Sequence, residues 1–288
     1  MAEPDSAVGA EEPGPEPGSP SAPGSEPAPE LLAALRTFAA APQVLIALDF
    51  DGCLAPFVLD PAHARPLPEA AEALRTLAPL PGVHLALVSG RPLADLYRLA
   101  GPPPGTVLVG SHGAERGAVD PTGELHLTPV TLTPDQADLL AQVSSAVEQL
   151  AHAHPGVWIE HKPAAAVVHT RSLPDEQAEP VLAAAMTGPG SWPGVHPIHG
   201  NQVVELAVVD ATKGESLQAL RADLVGVPAL YAGDDVTDET ALAVLTGADV
   251  GVKVGTAPSV AHYRVAGEAG VAAMLTRLAM WRASRSTG

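Results

Sequence analysis

Five apolar residues in a row, Val44 to Leu48, run directly into Asp49-Phe50-Asp51-Gly52. An unbroken apolar run this short predicts a strand buried on both faces of a parallel sheet. Leu74 and Leu77 then fall on a helical spacing across residues 69–78, and Pro79 and Pro81 stop that helix. Val83 to Val88 predicts a second strand, ending in Ser89-Gly90-Arg91. Pro92 suits the first turn of the next helix, and Gly101 marks its end. Thr106 to Val109 predicts a third strand, ending in Gly110-Ser111-His112-Gly113. Strands and helices alternating in this way predict an α/β fold, a parallel sheet with helices on both faces.

After residue 115 the pattern changes. Thr133 and Gln136 stand at the two positions of a capping box, and Leu139, Val143, Val147 and Leu150 follow at helical spacing. Val157 to Glu160 and Ala165 to Thr170 read as paired strands, and Val203 to Val209 as another. Gly and Pro punctuate Pro180 to Pro193, which predicts turns. Residues 116–209 are therefore expected to be an inserted α/β domain with an antiparallel sheet. The first pattern then returns, with helices over Lys213 to Leu224 and Thr237 to Leu245 and strands over Ala229 to Ala232 and Val250 to Val254. A closing helix is expected over 268–282. The expected core is thus 31–115 together with 210–288. Residues 1–30 hold Pro, Glu, Gly, Ser and Ala without a Lys or Arg. Such a segment lacks the apolar surface to offset its ordering entropy, so an acidic disordered tail is expected there.

Composition narrows the function. The formal net charge is −18, which excludes nucleic acid as a main partner, because phosphate backbones attract Lys and Arg. The one cysteine, Cys53, allows no intrachain disulfide. No basic-then-apolar leader opens the chain, and no apolar stretch reaches the length of a membrane span. The cytoplasm is the expected location, with no membrane association and no obligate protein partner.

Four polar clusters follow predicted strands or open a helix beside them, where open α/β sheets place their ligands. In the first, Asp49 and Asp51 stand two residues apart, so both can converge on one metal ion. Asp49 can also attack a phosphoryl group while Asp51 protonates the leaving oxygen, and Gly52 allows the sharp turn. Alone, this pattern is equally a loop whose acids face water. The second is Gly233-Asp234-Asp235-Val236-Thr237-Asp238-Glu239. Its crowded carboxylates repel one another without a cation, and oxygen ligands suit Mg²⁺. Asp238 and Glu239 can instead serve a helix N-terminus. Ser89-Gly90-Arg91 and Lys213-Gly214 offer a hydroxyl and an ammonium for phosphoryl oxygens, although each alone is also an ordinary cap or a solvated lysine.

Taken together, in order and at these separations, the clusters resemble the haloacid-dehalogenase-like (HAD) phosphatase superfamily over roughly 43–288. Within it the chain is similar to the trehalose-6-phosphate phosphatase family. The matching pieces are Leu48 to Gly52, Val88 to Arg91, Ser111-His112-Gly113-Ala114-Glu115, Gly233 to Glu239, Glu160-His161-Lys162 and His169-Thr170-Arg171. The resemblance implies a Rossmann-like core and an inserted cap over 116–209. It implies a Mg²⁺-dependent hydrolysis of a phosphosugar, trehalose 6-phosphate, through an aspartyl-phosphate on Asp49. Asp51 would act as acid and base, with Ser89 and Lys213 on the phosphoryl oxygens. Mg²⁺ would be held by Asp49, the Asp51 carbonyl and Asp234, with Asp235 and Asp238 orienting waters and Lys213 around it. Arg91 and His112 would line the substrate side of the core, and Glu160, Lys162, Arg171 and Glu205 of the cap would grip the sugar.

The chain departs from the family pattern at Cys53, where Thr is usual, and at Asn201 and Ala207, where a Lys and an Arg are usual. Other phosphosugars therefore remain alternative substrates, and a catalytically inactive sugar-phosphate-binding regulator is the alternative of a different class. The complete set of nucleophile, acid, Lys and metal-binding acids favours the enzyme. Histidines 152, 154, 196, 199 and 262 match no metal-ligand spacing. Trp158 and Trp192 are expected to be packing anchors.

Overall fold

The structure, a computed structural model, describes residues 26–200, 202–222 and 224–286. The expected tail up to residue 25, and Asn201, lie outside the described residues. Within residues 26–30 there is order: Glu26 pairs with Arg277 at 2.9 Å, and helix α1 (Pro29–Ala40) starts at a proline that needs no hydrogen-bond partner. Strand β1 (Val44–Leu48) is buried at all five positions. Helix α2 (Pro68–Leu77), strand β2 (Val83–Val88), helix α3 (Leu93–Ala100) and strand β3 (Val107–Gly110) follow as predicted. Gly101 closes α3 in the left-handed conformation, φ 54°.

Strands β4 (Glu115–Val119) and β5 (Leu125–Thr128) then pair antiparallel with β3 and with each other. The hairpin is an antiparallel extension of the main sheet, so the expected boundary at 116 falls inside a strand of that sheet. Its strands are short and only partly buried, so they carry no apolar run of the kind that marks the parallel strands.

Helix α4 (Pro134–Ala153) begins with the full capping box between Thr133 and Gln136. Strands β6 (Trp158–Lys162) and β7 (Ala165–His169) form a hairpin. Helix α5 (Asp175–Thr187) runs through Pro180, in part of the segment expected to be turns. An interior proline costs a helix about 3 kcal/mol. Val181 and Leu182 are buried on that helix, and burying such side chains contributes roughly 1.5–3 kcal/mol each, so burial wins. Strands β8 (His196–Gly200) and β9 (Val203–Ala207) complete a second sheet of order β6-β7-β9-β8, antiparallel throughout. One face carries Ala166, Val168, Val204 and Leu206 against Val143 and Val147 of α4 and Val181, Leu182 and Ala185 of α5. The period of two therefore turns Glu160, Lys162 and Glu205 to the opposite face.

The chain returns through helix α6 (Lys213–Ala222), strand β10 (Ala229–Gly233), helix α7 (Glu239–Ala243), strands β11 (Val250–Val254) and β12 (Tyr263–Val265), and helix α8 (Glu268–Ser286). The main sheet has the order β12-β11-β10-β1-β2-β3-β4-β5, parallel from β12 to β3. Val44, Ile46 and Leu48 pack on the layer of α1, α2, α3 and α8, while Leu45 and Ala47 pack on that of α6 and α7. The strand order reverses between β1 and its two neighbours, β2 and β10. Their carboxyl ends therefore flank one crevice. Among the described residues no helix is long and apolar enough to cross a membrane.

Candidate active site

Asp49 leaves the end of β1 buried, and its backbone N–H donates to the Ala232 carbonyl of β10 at 2.9 Å. Register brings Leu48 level with Ala232 on one side and Leu87 on the other, so residues 49, 89 and 234 emerge from three adjacent strands. Lys213, the first residue of α6, is also buried. Its Nζ lies 3.0 Å from Asp49 Oδ1 and 2.7 Å from Asp238 Oδ1. Burial alone would lower the Lys213 ammonium. The two carboxylates outweigh that, and its pKa lies above the ordinary value. Burial, and then the Asp238 charge, push Asp49 well up despite its lysine. The same two causes raise Asp234 to about 6.

Asp238 is fully buried and saturated. Its carboxylate accepts from Lys213, from the Tyr231 hydroxyl at 2.7 Å and from the Asp235 N–H at 2.9 Å. Burial works against its charge, but Lys213 leads the donors that bring its pKa down. Asp234 is the opposite case, because its Oδ1 is buried without a hydrogen-bond partner among the described residues. Carboxylate oxygens of Asp49, Asp234 and Asp238 lie within 4.8 Å of one another. An orphaned buried oxygen among crowded carboxylates fits a small cation held by Asp49 and Asp234. Gly52 makes room for that carboxylate: its φ is +69°, and a Cβ there would lie 2.3 Å from Asp234 Oδ2.

Other predicted residues are placed differently. Asp51 is not free, since both its oxygens accept from Arg91, Nε at 2.6 Å and Nη2 at 2.7 Å. Arg91 also donates to the Pro61 carbonyl and lies over the Phe50 ring. Ser89 is buried at the end of β2, with its Oγ accepting from the Arg91 N–H at 3.2 Å. Asp235 is exposed, and its carboxylate accepts from the Val236 N–H. Cys53 is buried, its Sγ 3.4 Å from the Ala232 carbonyl. Burial, then Asp49, raise its pKa well above the ordinary value, which disfavours the thiolate.

The second sheet meets this crevice through Lys162, whose Nζ donates to the Gly90 carbonyl at 3.1 Å and to Glu205 Oε2 at 2.7 Å. Burial raises the Glu205 carboxyl against the pull of Lys162. Glu160 shares that face, one row across Val167 from Glu205. His112 has a left-handed backbone, φ 56°, and its ring fills the space where a Cβ on Gly90 would stand. Its Nε2 lies 3.9 Å from Glu205 Oε2. Burial and then Lys213 and Lys162 push its pKa down to about 3. Arg171 lies exposed beyond β7, with no hydrogen bond or ion pair among the described residues. Ala207 closes β9 without a polar group, as its sequence requires.

Tyr231 and Lys253 build the site yet fall in no motif, whereas Glu115 ends the Ser111 to Glu115 piece. Tyr231 braces Asp238. Lys253, buried in β11, donates to the Asp235 carbonyl and to Glu239. Glu115 accepts from Ser111 Oγ at 2.6 Å and from the Leu93 N–H at 3.1 Å, tying the 111–113 turn to α3. The signal for Tyr231 and Lys253 was a lone polar residue in an otherwise apolar strand. Trp158, expected as a packing anchor, is 49% exposed, whereas Trp192 packs against the second core.

The sequence model of the trehalose-phosphatase family matches residues 47–273, most of the chain, and the chain belongs to that family. It is 34% identical over 189 residues to a trehalose-6-phosphate phosphatase of Escherichia coli (strain K12), covering 64% of this chain and 66% of that protein. It is 33% identical over 237 residues to a trehalose-phosphate phosphatase of Mycobacterium leprae, covering 77% and 53%. The chain thus spans between about half and two thirds of the length of these curated relatives. In fold it is similar to the C-terminal domain of Candida albicans trehalose-6-phosphate phosphatase, with a TM-score of 0.72 at 21% identity, covering 90% of this chain and 99% of that one. It is also similar to the C-terminal domain of a Candida albicans trehalose synthase regulatory protein, with a TM-score of 0.64 at 15% identity, covering 85% and 97%. The architecture is therefore the HAD-like one, a mostly parallel α/β core.

Proposed function

We propose that this chain is a Mg²⁺-dependent phosphatase that hydrolyses trehalose 6-phosphate to trehalose and phosphate. The observation that carries the reading is Asp49, held by Lys213 at the β1–β10 crevice beside the bare oxygen of Asp234. An Asp49 oxygen forms a bond to phosphorus as the phosphorus–sugar oxygen bond breaks, and the leaving oxygen takes its proton from Asp51. Water then attacks phosphorus, Asp51 takes a proton from that water, and the Asp49–phosphorus bond breaks to release phosphate. For either transfer Asp51 needs one oxygen clear of the Arg91 fork, so Arg91 must shift toward the incoming anion. Lys213 and Ser89 hold phosphoryl oxygens, and Asp238 fixes Lys213 for that task. Asp49, Asp234 and the Asp51 carbonyl would hold Mg²⁺, which when bound supplies positive charge against the repulsion between carboxylate and phosphoryl group.

The second sheet acts as the cap, with Glu160, Lys162 and Glu205 reading the sugar. Fold likeness alone does not separate an enzyme from a binding protein, and one structural neighbour is a regulatory protein. The complete catalytic set favours the enzyme. Asp49→Asn should lower turnover on the order of 10⁴-fold with unchanged melting behaviour, and exhaustive chelation should abolish turnover until Mg²⁺ is restored. Near wild-type turnover in the variant or in chelator would defeat the mechanism. A strong preference for a different phosphosugar would defeat the substrate assignment alone.

A further inference from the structure

Trp158 opens β6 on the same face as Glu160 and Lys162, because alternate residues of a strand share a face. The row has direction. Lys162, at one end, touches the Gly90 carbonyl next to Ser89. Glu160 comes next, and Trp158 lies four residues from Lys162, roughly 13 Å along the strand. His169 of β7 is the register partner of Trp158. Its ring stacks on the indole with centroids 3.8 Å apart and planes within 1°, and its Nε2 lies 2.9 Å from Glu160 Oε2. One imidazole therefore fixes both the orientation of the indole and the position of the carboxylate beside it. His169 covers one face of the indole, yet Trp158 remains 49% exposed, so much of its remaining surface is open.

Singly exposed apolar side chains are ordinary, but this one is held in a fixed orientation by the His169 stack on the face that carries Glu160 and Lys162. The row offers cationic, then anionic, then aromatic chemistry, outward from the phosphate-binding crevice. A sugar ring presents C–H groups on its faces and hydroxyls on its rim, which suit an aromatic plane flanked by a carboxylate. A monosaccharide phosphate would end at Glu160. The length of the row fits two linked sugar rings, the phosphate-bearing ring at Lys162 and Glu160 and the second ring at Trp158.

We propose that Trp158, backed by His169, is the stacking platform for the distal sugar ring and the residue that makes the site favour a disaccharide phosphate over a monosaccharide phosphate. This rests on the reading of Glu160 and Lys162 as substrate-binding groups. The platform completes on cap closure, and Glu160 is held ready for the rim hydroxyls by His169.

The test compares the full wild-type chain with Trp158→Ala and Trp158→Phe on trehalose 6-phosphate and glucose 6-phosphate, which differ by the second ring. In Trp158→Ala the ratio of kcat/KM between the two substrates should fall about tenfold or more, carried by KM, and Trp158→Phe should recover most of it. A second readout is tryptophan emission during titration with trehalose. Wild type should show a saturable change that Trp158→Phe loses, although both retain Trp192 and Trp281, which pack against the cores. An unaltered substrate ratio in Trp158→Ala, or an equal emission change in Trp158→Phe, overturns the platform while leaving the phosphatase reading intact. A wild type that turns over only monosaccharide phosphates overturns the platform together with the trehalose 6-phosphate assignment, and leaves the phosphatase chemistry standing.

Discussion

The two glycines beside the acids show how a missing side chain builds this site. Gly52 combines a left-handed backbone with the Asp234 carboxylate set where its Cβ would be. Gly233, without a left-handed backbone, likewise makes room for Asp238, whose carboxyl carbon would lie 2.2 Å from an added Cβ. Contacts that close cannot relax by small shifts, and at Gly233 the Asp238 carboxylate is in addition held by Lys213, Tyr231 and the Asp235 N–H. Gly52→Ala therefore combines strain at a positive φ with displacement of the Asp234 carboxylate proposed to hold the cation, and should cost about 1–3 kcal/mol of stability. It should also raise the Mg²⁺ concentration required for half-maximal activity by on the order of tenfold, as loss of ligand orientation does. Urea denaturation and Mg²⁺ titration of activity measure the two effects separately. A variant with wild-type Mg²⁺ dependence would mean that Asp234 is not a ligand. At this scale the sequence was informative where chemistry sits on a strand end, as at Asp49, Asp234 and Lys213. It was silent on partners. Nothing in the spacing of Asp51 and Arg91 announces that they pair, because that contact joins residues forty apart through the packing of two strand ends.

Elements were legible in proportion to their burial. Strands β1, β2, β3, β10 and β11 are apolar runs because both faces are covered, and so they announced themselves. The β4–β5 hairpin and β12 lie at the sheet edges and carry Arg116, His126 and Arg264 in the strands, so no run marks them. Helix α5 was hidden by Pro180, whose local cost is outweighed only by contacts with strands distant in sequence. The turn at residues 111–113 is a further element whose behaviour follows from packing. It buries His112 against Gly90 with Nδ1 lacking a partner among the described residues. In the unfolded chain this imidazole takes a proton near 6.5, and in the folded chain not until about 3. Between those values the unfolded state binds more protons, so stability rises with pH across the interval. The contribution is whole above the unfolded value and is lost as pH falls, by about 2 kcal/mol at pH 5. His112→Asn keeps a side chain that tolerates the left-handed backbone and removes the titration. Its stability should fall less steeply than wild type between pH 7 and 5, by a difference of about 2 kcal/mol in denaturant unfolding. Parallel pH profiles would show that the ring is solvated.

For the whole molecule, the decisive feature is that two separately cored sheets meet through charged side chains. The second sheet keeps its own apolar cluster under α4 and α5 and presents Lys162 and Glu205 to the Gly90 loop. A polar junction of this kind separates without exposing a hydrophobic core, which suits a cap that opens for substrate and closes over it. On the proposed reading, Lys162 is both a sugar-reading group and the tie between the two sheets. Glu160 has no bond to the core among the described residues, being held from within its own sheet by His169. The two should fail differently. Glu160→Ala removes hydroxyl reading alone, so kcat/KM for trehalose 6-phosphate should fall on the order of 10²-fold relative to a small aryl phosphate. Lys162→Ala removes reading and closure together, and leaves the buried Glu205 carboxylate without its cation. Its loss should exceed that of Glu160→Ala, with kcat reduced as well as KM raised, because closure assembles the reactive geometry. If closure passes through Lys162, the double variant should lose less than the product of the two single losses, since Glu160 reads the sugar only once the cap has closed. Losses that multiply cleanly would mean that the sheets do not work as a closing pair and that each residue meets the sugar independently.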